Sequence, residues 1–239
     1  MNPKTYPNVG FSAGEYHTRL WRDTCSEERF RALGPTVDFA KGAILAQAGR
    51  VPRCCYYVLE GRVMAFEYTL TTGDRYYNFN EEGSLLLESN VLLEKAPPVS
   101  FVAVSAVKAV AIERERLMAR LREDPALAEE LLMSLSYKFL AAMDQVREGT
   151  QYNVAWKVCN LLLTFAERYG VEYDGKILIK EKISQQMLAN LLGVNRITMV
   201  RTVKELREQN LIEQINGFYC IRDRERMLEY MDEASASLR

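Results

Sequence analysis

The run from Ile183 to Ile212, ISQQMLANLLGVNRITMVRTVKELREQNLI, decides how the chain is read. Ser184 stands where a helix needs an N-cap, and apolar Met187 (or Leu188), Leu191 and Leu192 follow at helical spacing. Ala189 is small where two helices must cross closely. Gly193 supplies the left-handed backbone that a three-residue reversal requires. Val194 plugs the angle between the helices, and Asn195 caps the second one. That second helix buries Met199, Val203 and Leu206 and leaves Arg196, Ile197, Val200, Arg201 and Lys204 facing outward. Residues 183–209 therefore read as a helix-turn-helix. Glu213–Ile221 then reads as strand, Asn216-Gly217 turn, strand, which is a hairpin wing.

The outward face of the second helix carries the chemistry. Arginine bonds guanine O6 and N7 bidentately, and Ile or Val meets a thymine methyl, so this face suits a DNA major groove. Ser184, Gln186 and Thr198 are placed to hold phosphates, helped by the first helix's N-terminus. The candidate DNA-binding set is Ser184, Gln186, Asn195, Arg196, Ile197, Thr198, Val200, Arg201 and Lys204. Lys180–Ile212 holds six cationic residues and three acids, a local balance of +3 in a chain of net charge −1. Helix-turn-helix units also occur as plain three-helix folds; the small residue at 189, the glycine at 193 and the wing weigh against that here.

Upstream the patterns differ. Residues 1–33 read as an irregular arm and a short helix around Ser26–Ala32 with a poor capping pattern. From Pro35 to about Ile112, turn residues separate short β-rich runs: Tyr56–Leu59, Arg62–Leu70, Arg75–Phe79, Ser100–Val104 and Ala109–Ile112. Such spacing predicts a β-sandwich or barrel, with a hairpin turning at Thr72-Gly73-Asp74. At Asp124 the period changes. Asp124 caps, Pro125 suits the first helical position, and Ala128, Leu132, Leu135, Phe139, Ala142, Val146 and Gly149 recur as a heptad seam. Leu127, Leu131 and Met133 add a second stripe. A helix with two apolar faces needs two partners, and the economical second partner is the same helix of a second subunit. An ordinary core helix in a monomer is the alternative. The candidate dimer residues are Ala128, Leu132, Leu135, Phe139, Ala142 and Val146. Gly149 is expected to end this helix, and residues 152–169 form another, with Gly170 as its stop.

At 239 residues the chain accommodates two modest domains. No run of eighteen apolar residues and no secretory signal is visible, so a cytoplasmic protein without a membrane partner is expected. The five cysteines (Cys25, Cys54, Cys55, Cys159, Cys220) lack CxxC spacing, and His17 is the only histidine. Neither a zinc site nor an iron–sulfur cluster has its ligands, and no cofactor is expected. An enzyme is the main rival class. The barrel has a likeness to metal-binding cupins but lacks their histidines, and no Ser/His/Asp set can be built on His17 alone. No catalytic residue is assigned.

Ser184–Ile212 and the wing closely resemble the C-terminal domain of the Crp/Fnr regulators. Tyr56-Tyr57-Val58-Leu59-Glu60-Gly61-Arg62-Val63 resembles that family's strand–Gly–strand signature, and Phe39-Ala40-Lys41-Gly42 the start of its β-roll. The resemblance spans residues 35–222. It implies an α+β chain: an N-terminal arm and cyclic-nucleotide-binding-like β-roll (1–123), a long dimerisation helix (124–150) and a winged helix-turn-helix domain (151–239). It also implies a homodimer that reads a palindrome, with RNA polymerase as a further partner if the protein activates, and a small-molecule effector in the roll. The family's two base-contacting arginines match Arg196 and Arg201, but Ile197 replaces the glutamate that accepts from cytosine in the best-known members. In cyclic-nucleotide binders a Gly-Glu segment and an Arg-Ser pair hold ribose and phosphate. This chain keeps Glu88 and Ser100 but has Val99 in the arginine's place, so the expected effector is not cyclic AMP. Tyr76, Tyr77, Phe79, Glu88, Leu92, Ser100, Met133 and Tyr137 are the candidate effector-lining residues; plain core aromatics are the alternative reading of that set. A protein of the same fold that binds an effector or a partner, but no DNA, is the remaining rival.

Overall fold

A computed structural model describes Leu20–Trp21, Asp23, Cys25–Thr69 and Gly73–Ala236. The expected arm, His17 and part of the Thr72-Gly73-Asp74 turn lie outside these residues. The chain falls into two compact units, one within Arg19–Leu140 and the other including Ala141–Arg239. The division falls inside the long helix rather than at its ends.

The first unit is a two-sheet β-roll. In chain order it contains β1 (Leu20–Trp21), α1 (Glu27–Arg31), β2 (Thr36–Phe39), β3 (Ile44–Ala46), β4 (Cys54–Glu60), β5 (Val63–Thr69), β6 (Gly73–Asn80), β7 (Leu85–Leu86), α2 (Glu88–Leu93), β8 (Ser100–Ala103), β9 (Val107–Glu113) and α3 (Arg114–Glu123). One sheet runs β1-β6-β5-β8-β3 and the other β2-β9-β4-β7. Inward residues of both sheets, including Val63, Ala103, Cys55, Val58, Ala109 and Ile112, share one core with Phe30 and Leu33. The expected hairpin is β5–β6, paired antiparallel from Val63↔Asn80 to Thr69↔Gly73, with a register shift beside Phe66. The short β2, β3 and β7 and the helices α2 and α3 carried too few periodic residues to stand out in the sequence.

The long helix α4 spans Pro125–Gln151. Asp124 caps it, its carboxylate accepting from the N–H groups of Ala126 and Leu127 at 3.1 Å. These bonds and the neighbouring Arg29 guanidinium hold the Asp124 carboxyl below its ordinary range. Gly149 does not end the helix: it lies inside α4, because Asn153 two residues past its end caps the next one.

The second unit holds α5 (Val154–Tyr169), β10 (Gly170–Tyr173), β11 (Lys176–Ile179), α6 (Gln185–Leu192), α7 (Arg196–Glu208), β12 (Ile212–Ile215), β13 (Phe218–Ile221) and α8 (Arg224–Ala236). The Asn153 side chain accepts from the Trp156 N–H at 2.8 Å. One apolar face of α5, with Val158, Leu161, Leu162 and Phe165 all buried, centres the core. Gly170 does follow α5, though not through a left-handed stop. Its φ is −73°, and the backbone passes straight into β10. A Cβ there would come within 2.0 Å of the Ala166 carbonyl oxygen, so glycine is required for a close approach. The sheet order is β10-β11-β13-β12. No helix among the described residues is long and apolar enough to cross a membrane.

Candidate nucleic-acid interface and effector site

The helix-turn-helix assembles residue by residue. Ser184 caps α6, its hydroxyl oxygen accepting from the Met187 N–H at 3.0 Å. Leu188, not Met187, is the fully buried residue of the first turns, and Leu191, Leu192 and Ala189 complete that face. Gly193 takes φ +64°, ψ +35°, the left-handed conformation that lets the chain turn back within three residues. The Asn195 side chain then accepts from the Thr198 N–H at 2.8 Å and starts α7. Met199, Val203 and Leu206 are buried beneath α7, each contributing about 1.5–3 kcal/mol by leaving water. Asn216 (φ +51°) and Gly217 (φ +83°) make the tight turn between β12 and β13.

What remains uncovered is a compact reading face. Arg196, Arg201 and Lys204 are exposed, Val200 is exposed, and Ile197 is 84% exposed. Ile197 and Val200 thus place apolar surface between the two exposed arginines. Thr198 is half-buried beside the cap, and Gln186 donates its amide to Asn190 at 2.7 Å. Ser184 and Asn195 are committed to capping through their side-chain oxygens, so what they offer a phosphate is the helix N-terminus they stabilise.

The candidate effector residues divide. Tyr76 and Phe79 lie edge to face with ring centres 6.3 Å apart, and Phe79 is buried. Tyr77, beside the β5–β6 register shift, turns instead to exposed groups: its hydroxyl donates to Glu67 at 2.8 Å, and the Arg75 guanidinium lies 5.3 Å from its ring centre. Leu92 packs on the roll core. Ser100 is half-buried, and its hydroxyl oxygen accepts from the Ala48 N–H at 3.1 Å. Tyr137 is half-buried, and Met133 is 44% exposed, so Met133 does not continue the buried stripe of Leu127 and Leu131. That stripe continues through Ser134 and Lys138.

Glu88 leads to residues that the sequence reading missed. Its buried carboxylate accepts from the Lys138 ammonium at 2.7 Å, and Asp23 lies on the same ammonium at 3.2 Å. Lys138 also donates to the Leu85 carbonyl at 2.7 Å, and the Leu85 N–H donates to Asp23 at 2.8 Å. The Ser134 hydroxyl completes the cluster by donating to the other Asp23 oxygen. Burial alone would lower the Lys138 pKa, but the Glu88 and Asp23 carboxylates outweigh it and hold the ammonium above its ordinary range. A serine and a lysine four residues apart, in line with Leu127 and Leu131, were the available signal.

The dimer residues also divide. Leu132, Phe139 and Val146 form an exposed apolar stripe, with Ala142 exposed beside them and Ala128 half-buried. Leu135 is half-buried on the roll core, and Met143 occupies the exposed stripe instead. The open face is thus turned by about one position from the 128–149 seam, because the heptad pattern of a two-faced helix does not say which stripe the roll takes.

Residues 157–230 match the Crp-like helix-turn-helix domain, and residues 36–124 match the cyclic nucleotide-binding domain. The pairing defines the class: a transcription regulator that joins an effector-binding roll to a DNA-binding helix-turn-helix. The chain belongs to the Crp/Fnr family. It is 20% identical over 191 residues to the CRP-like cAMP-activated global transcriptional regulator of Mycobacterium tuberculosis, covering 80% of this chain and 85% of that one. Its fold is similar to that of OCPA-complexed CprK, with a TM-score of 0.70 at 16% identity over 90% of this chain and 99% of that one. It is also similar to a CooA mutant from Carboxydothermus hydrogenoformans, with a TM-score of 0.72 at 14% identity over 87% and 92% of the two chains.

Proposed function

We propose that this regulator is a cytoplasmic homodimer that binds a palindromic DNA site through α7 and is controlled by a small molecule other than cyclic AMP in its β-roll. It has no catalytic role in this reading, and RNA polymerase is its partner if it activates. The observation that carries the DNA reading is the open face of Arg196, Ile197, Val200 and Arg201 at the start of a capped helix. Dimerisation is supported by the apolar stripe of Leu132, Phe139, Met143 and Val146, which nothing in a single chain covers among the described residues.

Charge weighs against cyclic AMP as the effector. A cyclic phosphate buried in the roll needs a cation, and Val99 is half-buried where the family's arginine would stand. Glu88, the family's ribose-binding acid, is already bonded to Lys138. The M. tuberculosis relative is cAMP-activated by name; this chain has Val99 at the position of the family's phosphate-holding arginine.

The test is duplex binding at graded salt with sites selected from random DNA. A steep fall of affinity with salt and a two-fold symmetric consensus are expected. Replacing both Arg196 and Arg201 by Ala should remove the consensus. Salt-insensitive binding, or an unchanged consensus in the double variant, refutes the reading. Adding cyclic AMP should leave the affinity unchanged.

A further inference from the structure

We infer that Ile197 and Val200 form a methyl-reading strip on α7, which takes the C5-methyl group of thymine and of 5-methylcytosine alike, so that cytosine C5 methylation strengthens this regulator's hold on its DNA site. This deepens the DNA reading above and rests on it.

The strip is apolar where a reading helix must be open. Ile197 is 84% exposed and Val200 is 42% exposed. They stand three residues apart near the start of α7, and helix neighbours at that spacing hold their Cβ atoms about 5–6 Å apart. Met199, Thr202, Val203 and Leu206 complete the core on the other side of the helix, so the fold itself makes no use of the strip. A branched aliphatic side chain offers a base one kind of contact: apolar surface removed from water.

What the strip lacks fixes what it reads. Thymine and 5-methylcytosine carry the same methyl group on the same edge of the major groove. They differ at C4, where thymine has a carbonyl acceptor and methylcytosine an amino donor. Telling them apart takes a hydrogen-bonding group, and a carboxylate that accepts from the amino group is the usual one. Arg196–Lys204 contains no carboxylate and no carboxamide. Asn195, just before it, has its side-chain oxygen on the Thr198 N–H at 2.8 Å. The Thr198 hydroxyl, which both donates and accepts, is half-buried and favours neither base. The methyl group is therefore recognised without the base that carries it.

The charges beside the strip suit a methylated C·G pair in particular. Arg196 and Arg201 are exposed and carry donors only, which match guanine O6 and N7. A methylated pair supplies both contacts, a methyl group for the strip and a guanine for a neighbouring arginine. An unmethylated C·G pair supplies only the second.

The test uses the full chain and duplexes built on the consensus selected from random DNA. Each thymine of the half-site is replaced in turn, in both halves, by uracil and then, with guanine opposite, by cytosine or 5-methylcytosine. Uracil is thymine without its methyl group, and cytosine is 5-methylcytosine without its own, so each pair of titrations isolates one methyl group. At one position the methyl should raise affinity about fourfold per half-site, or about fifteenfold for the symmetric pair, by the same factor in both contexts. The gain should be the same at low and high salt, while the affinities themselves fall steeply as salt rises. Replacing both Ile197 and Val200 by Ala should abolish the gain. Both side chains lie outside the core, and the titrations of the parent protein stand without the variant. A half-site without thymine, equal affinity with and without the methyl at every position, a gain for thymine that methylcytosine does not share, or a gain that survives in the double variant overturns the proposal and leaves the DNA reading standing. A selection that yields no consensus refutes the DNA reading itself, and the proposal with it.

Discussion

Replacing Phe139 by Asp tests the proposed dimer at its most exposed aromatic residue. Phe139 is 64% exposed in the single chain. A phenylalanine has about 200 Å² to bury, so roughly 130 Å² of it stands in water. Covering that area contributes about 3 kcal/mol at ~25 cal/mol per Å². A two-fold interface contains the residue twice, which brings the figure to about 6 kcal/mol per dimer. Association recovers only part of such an area term, and half of it, about 3 kcal/mol, is already more than a hundredfold in Kd. A carboxylate at this position adds desolvation to the lost burial and pushes in the same direction. Sedimentation equilibrium over a wide concentration range reads the effect directly. The fold is expected to persist, because Phe139 is not part of the roll core. A dimer constant within threefold of the parent's would overturn the proposed interface and leave α4's open face without its partner.

Four further outcomes follow from the same geometry. Ile197→Glu should change the preferred base at one position of each half-site, from thymine toward cytosine, in a selection from random duplexes; an unchanged preference refutes the placement of Ile197. Asn195→Ala removes the acceptor for the Thr198 N–H and should lower the stability of the second unit by about 1 kcal/mol in chemical denaturation. Burial pushes the thiols of Cys55 and Cys159 up to about 12, and burial together with Asp23 does the same for Cys25, so at pH 8.5 these three hold roughly a thousandfold less thiolate than in the unfolded chain. Half-exposed Cys54 should therefore label first in a native thiol titration. Because the unfolded chain sheds these protons while the native chain keeps them, stability should fall as pH rises from about 8.5.

The helix-turn-helix was legible because each local signal points to the same answer. Ser184, Gly193, Asn195 and the Asn216-Gly217 turn each impose one backbone conformation, and the apolar spacing between them admits no other period. The β-roll was legible in its longer strands only. β3 and β7 are two or three residues long, too short for alternation to register, and tertiary pairing makes them. The helix α8 escaped because its sequence is strongly polar, though Asp223 caps it from the residue before. Gly149 misled, whereas Gly170 does stop α5, by a close approach rather than a left-handed turn. Glycine marks either a left-handed stop or a close approach, and sequence alone does not distinguish these from a tolerated helix interior.

The candidate site was less legible because its decisive residues are held by pairs distant in sequence. Glu88 and Lys138 lie 50 positions apart, and Ser134 and Asp23 are 111 apart. No window read along the chain joins them. The stripe on α4 nevertheless held the clue, since Ser134 and Lys138 fall in line with Leu127 and Leu131. A lysine in a buried stripe must find an acid, and the family's own acid, Glu88, was already in view. Lys138 and Phe139 are consecutive on one helix, and one faces the roll's acids while the other faces open water. A helix cannot turn one of these residues without turning the other. A rotation of α4 about its axis would therefore move Lys138 against the roll's acids and Phe139 on the proposed dimer face together.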